Sequence, residues 1–448
     1  MRNVCLQIGP TVRREEGIAA MGLFENGSRL CELDIQFSLL RDLRHHDPVP
    51  LEFVLLASAV YALDRTVLRG ATEDSWTRDI SLSMPVRDPA RWNAATGELT
   101  HTVSFLTGDR WTLNFTPLTG SLSVARQSAR RRATSPMVPL SAIDTVCLLS
   151  GGLDSLVGAI DHLEHSESRM LLMGHHEAAM AGPFGDQRSL IGPLRAAYPQ
   201  RLRPAFVRVG HSPAGTEITL RSRSLLFVAL GMYAATAVGP VTPLLIPENG
   251  TIALNFPLTP SRRGSCSTRT AHPHYLEMLG RTLRQLGIGN PLVNPLADKT
   301  KGEVVAECAN PTLLHALARR AVSCAKRSRR GHWARKTARS CGQCMPCVYR
   351  RAAMHRAAAD TETYGKDVCA GEVPVMGDDD AGRDFRACLS LLRRDPPAQE
   401  IASTLLASGP LDYRALHRYA ALVQRAMDEI RALLRDKGTF EVRRAAGI

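Results

Sequence analysis

Aromatic side chains make up only 5% of the 448 residues, and no window approaches eighteen uninterrupted apolar residues. A membrane-spanning helix is therefore not expected. The opening MRNVCLQIGPTVRREEG lacks a basic n-region followed by a long apolar run, so the reading is a cytoplasmic protein without a secretory leader. No G-x-x-x-x-G-K-[ST] string occurs, which excludes γ-phosphoryl transfer on a Walker loop. Acidic residues are outnumbered, 43 against 56 Lys and Arg, for a formal net charge of +13. That balance favours an anionic partner such as a nucleotide, a nucleic acid or an acidic protein, although Arg-for-Lys usage typical of a GC-rich genome accounts for part of it. What the chain does have is eleven cysteines. In a reducing compartment, a cluster among them points to metal binding or catalysis before disulfides.

Four segments follow from composition and periodicity. Residues 1–122 read as an α+β domain: 50–68 carry apolar residues at helical spacing, while 79–86, 99–106 and 110–118 alternate like strands, with a hairpin turn at Thr107, Gly108 and Asp109. Residues 123–140, rich in Arg, Ser and Pro, read as a linker. From 141 to 374, the apolar runs TVCLLS, RMLLMGHH, PAFVRVG and PLLIPENG alternate with helical stretches. This is the pattern of an α/β domain, a parallel sheet with helices on both faces, whose ligands bind at the carboxyl ends of the strands. Residues 375–448 read as helical, with an amphipathic stretch at 412–436 that packs on the rest of the protein or on a partner.

The first α/β strand runs into LLSGGLDSLVGAI (148–160). Ser150, Gly151, Gly152, Leu153, Asp154 and Ser155 lie where a strand stops and a helix begins. Helix N-termini leave backbone N–H groups unpaired, and glycines let an anion approach the backbone closely. A phosphate chain meets both conditions; the plainer alternative is an ordinary N-cap. Glu248 and Asn249, at the end of a later strand, stand at the expected ligand edge. Arg262, Arg263, Ser267, Thr268 and Arg269 form a basic stretch that would hold a carboxylate, a phosphate or an acidic partner, with a solvated basic loop as the alternative.

Cys341, Cys344 and Cys347 form C-x2-C-x2-C, with Cys324 upstream across the basic spacer AKRSRRGHWARKTARS. Four thiolates at such spacing converge on tetrahedral Zn²⁺ and close the site, which makes it structural. His332 is the outside candidate should Cys324 not bind, and a redox or thiolation dithiol is the alternative. Cys5, Cys31, Cys147, Cys266, Cys308, Cys369 and Cys388 read as small buried hydrophobes.

The S-G-G-x-D-S string after an apolar strand resembles the pyrophosphate-binding loop of the PP-loop, or N-type ATP pyrophosphatase, family. Together with the cysteine motif it is similar to the 7-cyano-7-deazaguanine synthase (QueC-like) branch. Three further stretches carry the likeness: SRSLLFVALGMYAA (222–235), NPLADKTKGEVV (294–305) and, more weakly, FGDQRS (184–189). The resemblance spans roughly residues 143–360. It implies ATP with Mg²⁺, held by Asp154 and the pyrophosphate oxygens. It also implies a catalytic set of Asp154, Lys301 and Arg223, with Arg223 on the nucleotide or its phosphates and Lys301 on the charge of the α-phosphate or pyrophosphate. Glu248 and Asn249 would then read the edge of a 7-deazaguanine.

Ser224 departs from the family's Asn, and the terminal segments have no counterpart in the housekeeping enzyme. The long basic segment 247–276 more closely resembles the QueC-like component of the anti-phage Qat cassette and related proteins of defence islands. The implied activity is ATP-dependent adenylation of the carboxylate of 7-carboxy-7-deazaguanine, then attack by an amine. The product is an amide, with a protein of the same cassette as acceptor, or a nitrile. A PP-loop tRNA-modifying enzyme and a catalytically silent nucleotide-binding defence subunit are the alternative expectations.

Overall fold

The computed structural model describes the chain except residues 9–20, 37–42, 44–46, 120–137, 178–180, 218, 261–268 and 378–381. In chain order its first elements are β1 (Arg2–Ile8), β2 (Met21–Glu25), β3 (Ser28–Gln36), α1 (Val49–Thr66), β4 (Asp79–Val86), α2 (Pro89–Thr107), β5 (Arg110–Pro117), β6 (Thr145–Leu148), α3 (Leu153–Glu164) and β7 (Met170–His176). Then come α4 (Ala181–Ala197), β8 (Leu202–Ser212), α5 (Arg223–Val238), β9 (Leu244–Leu245), α6 (Gly250–Ala253), α7 (Pro273–Gln285) and β10 (Leu292–Val293). The rest is helical: α8 (Lys301–Ala306), α9 (Pro311–Ala318), α10 (Met345–Arg356), α11 (Arg383–Arg394), α12 (Ala398–Leu406), α13 (Leu416–Lys437) and α14 (Phe440–Ala446). Among the described residues, no helix is long and apolar enough to cross a membrane.

Residues 99–106, expected as a strand, lie inside α2. Asp88 caps that helix by accepting from the Arg91 amide, Pro89 occupies its first turn, and Gly108 ends it at φ +76. The buried positions Trp92, Ala95, Leu99, Thr102, Val103 and Leu106 recur at helical spacing over the whole element. An eight-residue window rich in Thr and Val hides that period. The expected hairpin at 107–109 is consequently a helix-to-strand junction. β4 and β5 pair in parallel, which a tight two-residue turn does not allow and an intervening helix does.

The ten strands form one sheet in the order β10-β9-β6-β7-β8-β3-β2-β1-β4-β5. Six of the nine pairings are parallel, and the antiparallel ones involve β2 and β3. Strands β8, β7, β6, β9 and β10 follow the doubly wound order 3-2-1-4-5, which reverses between β6 and β9. Helices cover both faces of β7. A Cβ on Gly174 would lie 2.9 Å from Gln187 of α4, whereas the next side chain, His175, meets Arg223 of α5; successive strand residues point to opposite faces.

Packing groups the chain into two compact units. The first is Met1–Ser150, Glu167–Ile246 and Cys266–Asn294; the second is Gly151–Ser166, Pro247–Ser265 and Pro295–Ile448. The strands of the N-terminal segment thus share a sheet with β6–β10 through the β3–β8 pairing. The C-terminal helices share a unit with α3 and α8, around a core that includes Leu254, Val348, Phe385, Ile401 and Leu433.

Candidate active site and metal centre

β6 is buried at every residue, and the chain leaves its carboxyl end at the strand-order reversal. Gly151 takes φ +85, a left-handed conformation that costs a side-chain-bearing residue on the order of 1 kcal/mol or more. Gly152 is the N-cap of α3. Two bonds brace the turn from one short segment: the Gly151 carbonyl accepts from the Val322 amide at 2.8 Å, and the Leu153 amide donates to the Ser323 hydroxyl at 3.3 Å. Ser155 Oγ donates to the Gly152 carbonyl at 3.0 Å, and the Leu153 side chain is wholly buried.

Asp154, in the first turn of α3, is the centre of a buried polar cluster. The Lys301 ammonium donates to both of its oxygens, at 2.7 and 2.8 Å, and Asn249 Nδ2 donates to Oδ2 at 2.8 Å. Asp154 and Lys301 are 8% and 3% exposed. Burial works against the Asp154 charge, but the Lys301 ammonium, with the hydrogen bonds from Lys301 and Asn249, outweighs it and holds the carboxyl below its usual range. Burial, then repulsion from Asp154, pushes the Glu248 carboxyl well above its ordinary value, and its hydrogen bond with Asp154 works in the same direction. Asn249 also caps α6 by accepting from the Ile252 amide at 3.1 Å. Its oxygen and one amide hydrogen are therefore committed to organising the cluster.

Close packing sets that geometry. A Cβ on Gly158, one turn after Asp154, would lie 2.4 Å from the Pro247 side chain. Only glycine there lets Pro247, and with it Glu248 and Asn249, approach α3. Lys301 is the first residue of α8, whose N-terminus carries a full capping box of Thr300 and Glu303.

Arg223, at the start of α5, belongs to a second group in the sheet-bearing unit. Its Nε donates to His175 Nδ1 and its Nη2 to the His175 carbonyl, both at 3.4 Å. Glu177 accepts from the Tyr61 hydroxyl and, at 3.1 Å, from Arg65, so α1 contributes two side chains here. The preceding Ser222 donates to Asp64 at 2.7 Å. Asp64 and Asp109 are held by Arg69 and Arg78, and all four are buried. That network fixes the start of α5 and hence Arg223.

Arg269 lies in the same unit, donating to the Phe105 carbonyl at 2.7 Å with its guanidinium 4.2 Å from the Phe105 ring centre. Arg262, Arg263, Ser267, Thr268 and Cys266 lie outside the described residues. His272 caps α7 and is fully buried.

Burial and the Arg223 charge push the His175 imidazole down to about 3, and burial and Arg269 do the same to His272. Both histidines stay neutral in the folded protein, whereas in the unfolded chain they take a proton near pH 6.5. Stability is thus fully present above that pH and is lost as pH falls toward 3, by about 1.4 kcal/mol per unit for each group. The melting temperature should drop between pH 7.5 and 5.0, with a shallower slope in the His175→Asn, His272→Asn double variant; equal slopes would contradict this assignment.

The four cysteines expected to bind metal converge. One ligand atom each from Cys324, Cys341, Cys344 and Cys347 lies within 4.8 Å of the others. Cys341 and Cys347 sulfurs are 3.7 Å apart, and Cys344 and Cys347 sulfurs 3.4 Å. Tetrahedral zinc–thiolate bonds of about 2.3 Å require sulfurs about 3.8 Å apart, so the group can hold a metal ion such as zinc. The amides of Cys341 and Cys344 donate to the sulfurs of Cys324 and Cys341 at 3.3 and 3.4 Å, hydrogen bonds of the kind that orient thiolates around a metal. Gly342, at φ +82, makes the turn between ligands, where a Cβ would sit 2.0 Å from the Lys366 carbonyl oxygen. His332 is exposed, and the fallback to it is not needed. Of the scattered cysteines, Cys31, Cys147, Cys308, Cys369 and Cys388 are buried and Cys5 is partly exposed.

The Asp64 network and the Arg65, Tyr61 and Glu177 contacts had no sequence signal, because their partners are separated by up to 158 positions. Comparison with protein-family models, curated proteins and solved structures returned no match. Fold and site alone define an α/β protein with a mostly parallel sheet, a buried carboxylate–ammonium pair and a four-cysteine group that can hold a metal ion.

Proposed function

We propose that the chain adenylates the carboxylate of a 7-deazaguanine, 7-carboxy-7-deazaguanine being the substrate the loop resemblance implies. A carboxylate oxygen attacks the α-phosphorus of ATP, the bond to the bridging oxygen breaks, and pyrophosphate leaves. An amine then attacks the acyl carbon and AMP departs, giving an amide on a partner protein or, after a second adenylation, a nitrile. We assign this activity to an anti-phage defence system.

The observation that carries the reading is the Asp154–Lys301 pair, its carboxylate in the first helical turn after the left-handed Gly151. In this scheme the backbone of Ser150–Ser155 holds the departing pyrophosphate. Lys301 offsets the negative charge that gathers on the phosphates, which a fixed cation stabilises more in a dry site than in water; for Arg223 the same role is what the resemblance implies. Asp154 fits Mg²⁺: it is an ionised oxygen donor, and that ion is commonly bound by one or two carboxylates with phosphate oxygens and water. Bound there, Mg²⁺ would neutralise phosphate charge. Glu248, hydrogen-bonded to Asp154, stands beside the cluster at the position that the resemblance assigns to the substrate edge. The four-cysteine group suits structural Zn²⁺. Thiolation chemistry would need a reactive cysteine apart from metal ligands; burial pushes Cys31 and Cys369 up to about 11 and Cys147, Cys308 and Cys388 up to about 12, far from a reactive thiolate, while Cys5 is partly exposed and Cys266 lies outside the described residues.

With ATP, Mg²⁺ and 7-carboxy-7-deazaguanine, the protein should release AMP and pyrophosphate in equal amounts. Their absence with ammonia, with amino-terminal peptides and with co-expressed neighbouring proteins alike would reject the reading.

A further inference from the structure

We infer that Glu429, on the C-terminal helix α13, is a positioning residue that holds Lys301 at Asp154. The inference rests on the adenylating reading for its consequence, though not for its geometry. Glu429 grips the residues on either side of Lys301: its Oε1 accepts from the Thr300 hydroxyl and its Oε2 from the Gly302 amide at 3.0 Å. Gly302 leaves room for this and for nothing else, since a Cβ there would sit 2.3 Å from the Glu429 carboxylate. Arg356 of α10 donates to Oε1 at 2.8 Å and fixes the carboxylate from behind.

One turn earlier, Arg425 Nε donates to Glu303 at 2.7 Å and its Nη2 to the Asp298 carbonyl at 3.1 Å. A turn before that, a Leu422 methyl fills the space where Gly250, next to Asn249, would carry a Cβ. Residues 422, 425 and 429 share one helix face, and apart from Arg356 every one of these contacts is to the two segments that bring Asn249 and Lys301 to Asp154. The face is a buttress for the cluster, which gives the C-terminal helix a role in catalysis.

Fixed charges act on a transition state only when held in place, and a misplacement near 1 Å costs about 10²-fold. Glu429→Gln, made in the full chain, removes one of the two acceptor oxygens. Its kcat for AMP release should fall by about 10- to 100-fold while KM for ATP moves less than about threefold, and amide hydrogen exchange at 300–306 should quicken. Ile430→Ala is the control: Ile430 lines a small cavity with Cys388 and Leu391 of α11, so its truncation destabilises α13 without touching α8. Well below its melting temperature it should keep the parental kcat and slow exchange at 300–306. Unchanged kcat or unchanged exchange in Glu429→Gln overturns the assignment, as does an equal kcat loss in Ile430→Ala. A parental protein that releases no AMP defeats the adenylating reading alone, and exchange at 300–306 still decides whether Glu429 holds the turn.

Discussion

Lys301→Met should lower ATP-dependent AMP release by on the order of 10²–10³-fold, the usual effect of removing one fixed charge-stabilising donor from a site. It should also cost about 3–5 kcal/mol of stability, because the Asp154 carboxylate is left buried without its ammonium. The two effects separate in a double variant. Asp154→Asn with Lys301→Met removes both charges, and replacing a buried pair entirely is close to neutral. The double variant should therefore regain most of the lost stability in urea denaturation while remaining inactive. A single variant that keeps its activity would remove Lys301 from the chemistry. A double variant no more stable than the single one would mean that Asn249 and Glu248, rather than the ion pair, govern the energetics of the cluster.

Metal removal should have the second large effect. The protein should carry one zinc per chain by elemental analysis, and Cys341→Ser should lose it. Structural zinc sites bind with apparent energies of about 10–16 kcal/mol in small peptides, so the unit containing α8–α14 should melt first and by a wide margin in the variant. The consequence reaches the loop. Val322 and Ser323 immediately precede the proposed ligand Cys324 and brace Gly151 and Leu153, so losing a metal there should loosen the turn proposed to hold pyrophosphate. Cys341→Ser should lose AMP release together with exchange protection at 151–155. A fully stable, active, metal-free Cys341→Ser variant would contradict both the ligand set and the brace.

The parts of this architecture legible in the sequence are those written in short stretches. The strand, glycine turn and helix at 145–164 could be read because burial on both faces makes β6 apolar throughout and because Gly151 needs a left-handed φ. The cysteine spacing was legible because three ligands share a seven-residue stretch. The strand at 110–118 was recovered because exposed and buried residues alternate along it, and that at 79–86 because its second half alternates buried with partly buried residues. Residues 99–106 were misread because their local alternation competes with a helical period visible only from Pro89 to Thr107.

What stayed hidden depends on distant partners. Nothing near Glu429 marks it as the residue that clamps Thr300 and Gly302 across more than 120 positions. Asn249 looked like a residue facing a ligand, and only the fold reveals that its amide serves Asp154. The sharing of one sheet by the N-terminal strands and β6–β10 rests on the β3–β8 pairing, a contact that no local pattern announces.

The central claim is that a carboxylate oxygen of the substrate attacks the α-phosphorus of ATP while pyrophosphate departs. It is tested most directly with 7-carboxy-7-deazaguanine carrying ¹⁸O in both carboxylate oxygens, with the AMP analysed by mass spectrometry. One labelled oxygen should appear in each AMP formed, since the carboxylate oxygen that attacks phosphorus stays with it when the amine displaces AMP. Unlabelled AMP, or ADP in place of AMP and pyrophosphate, would contradict the account.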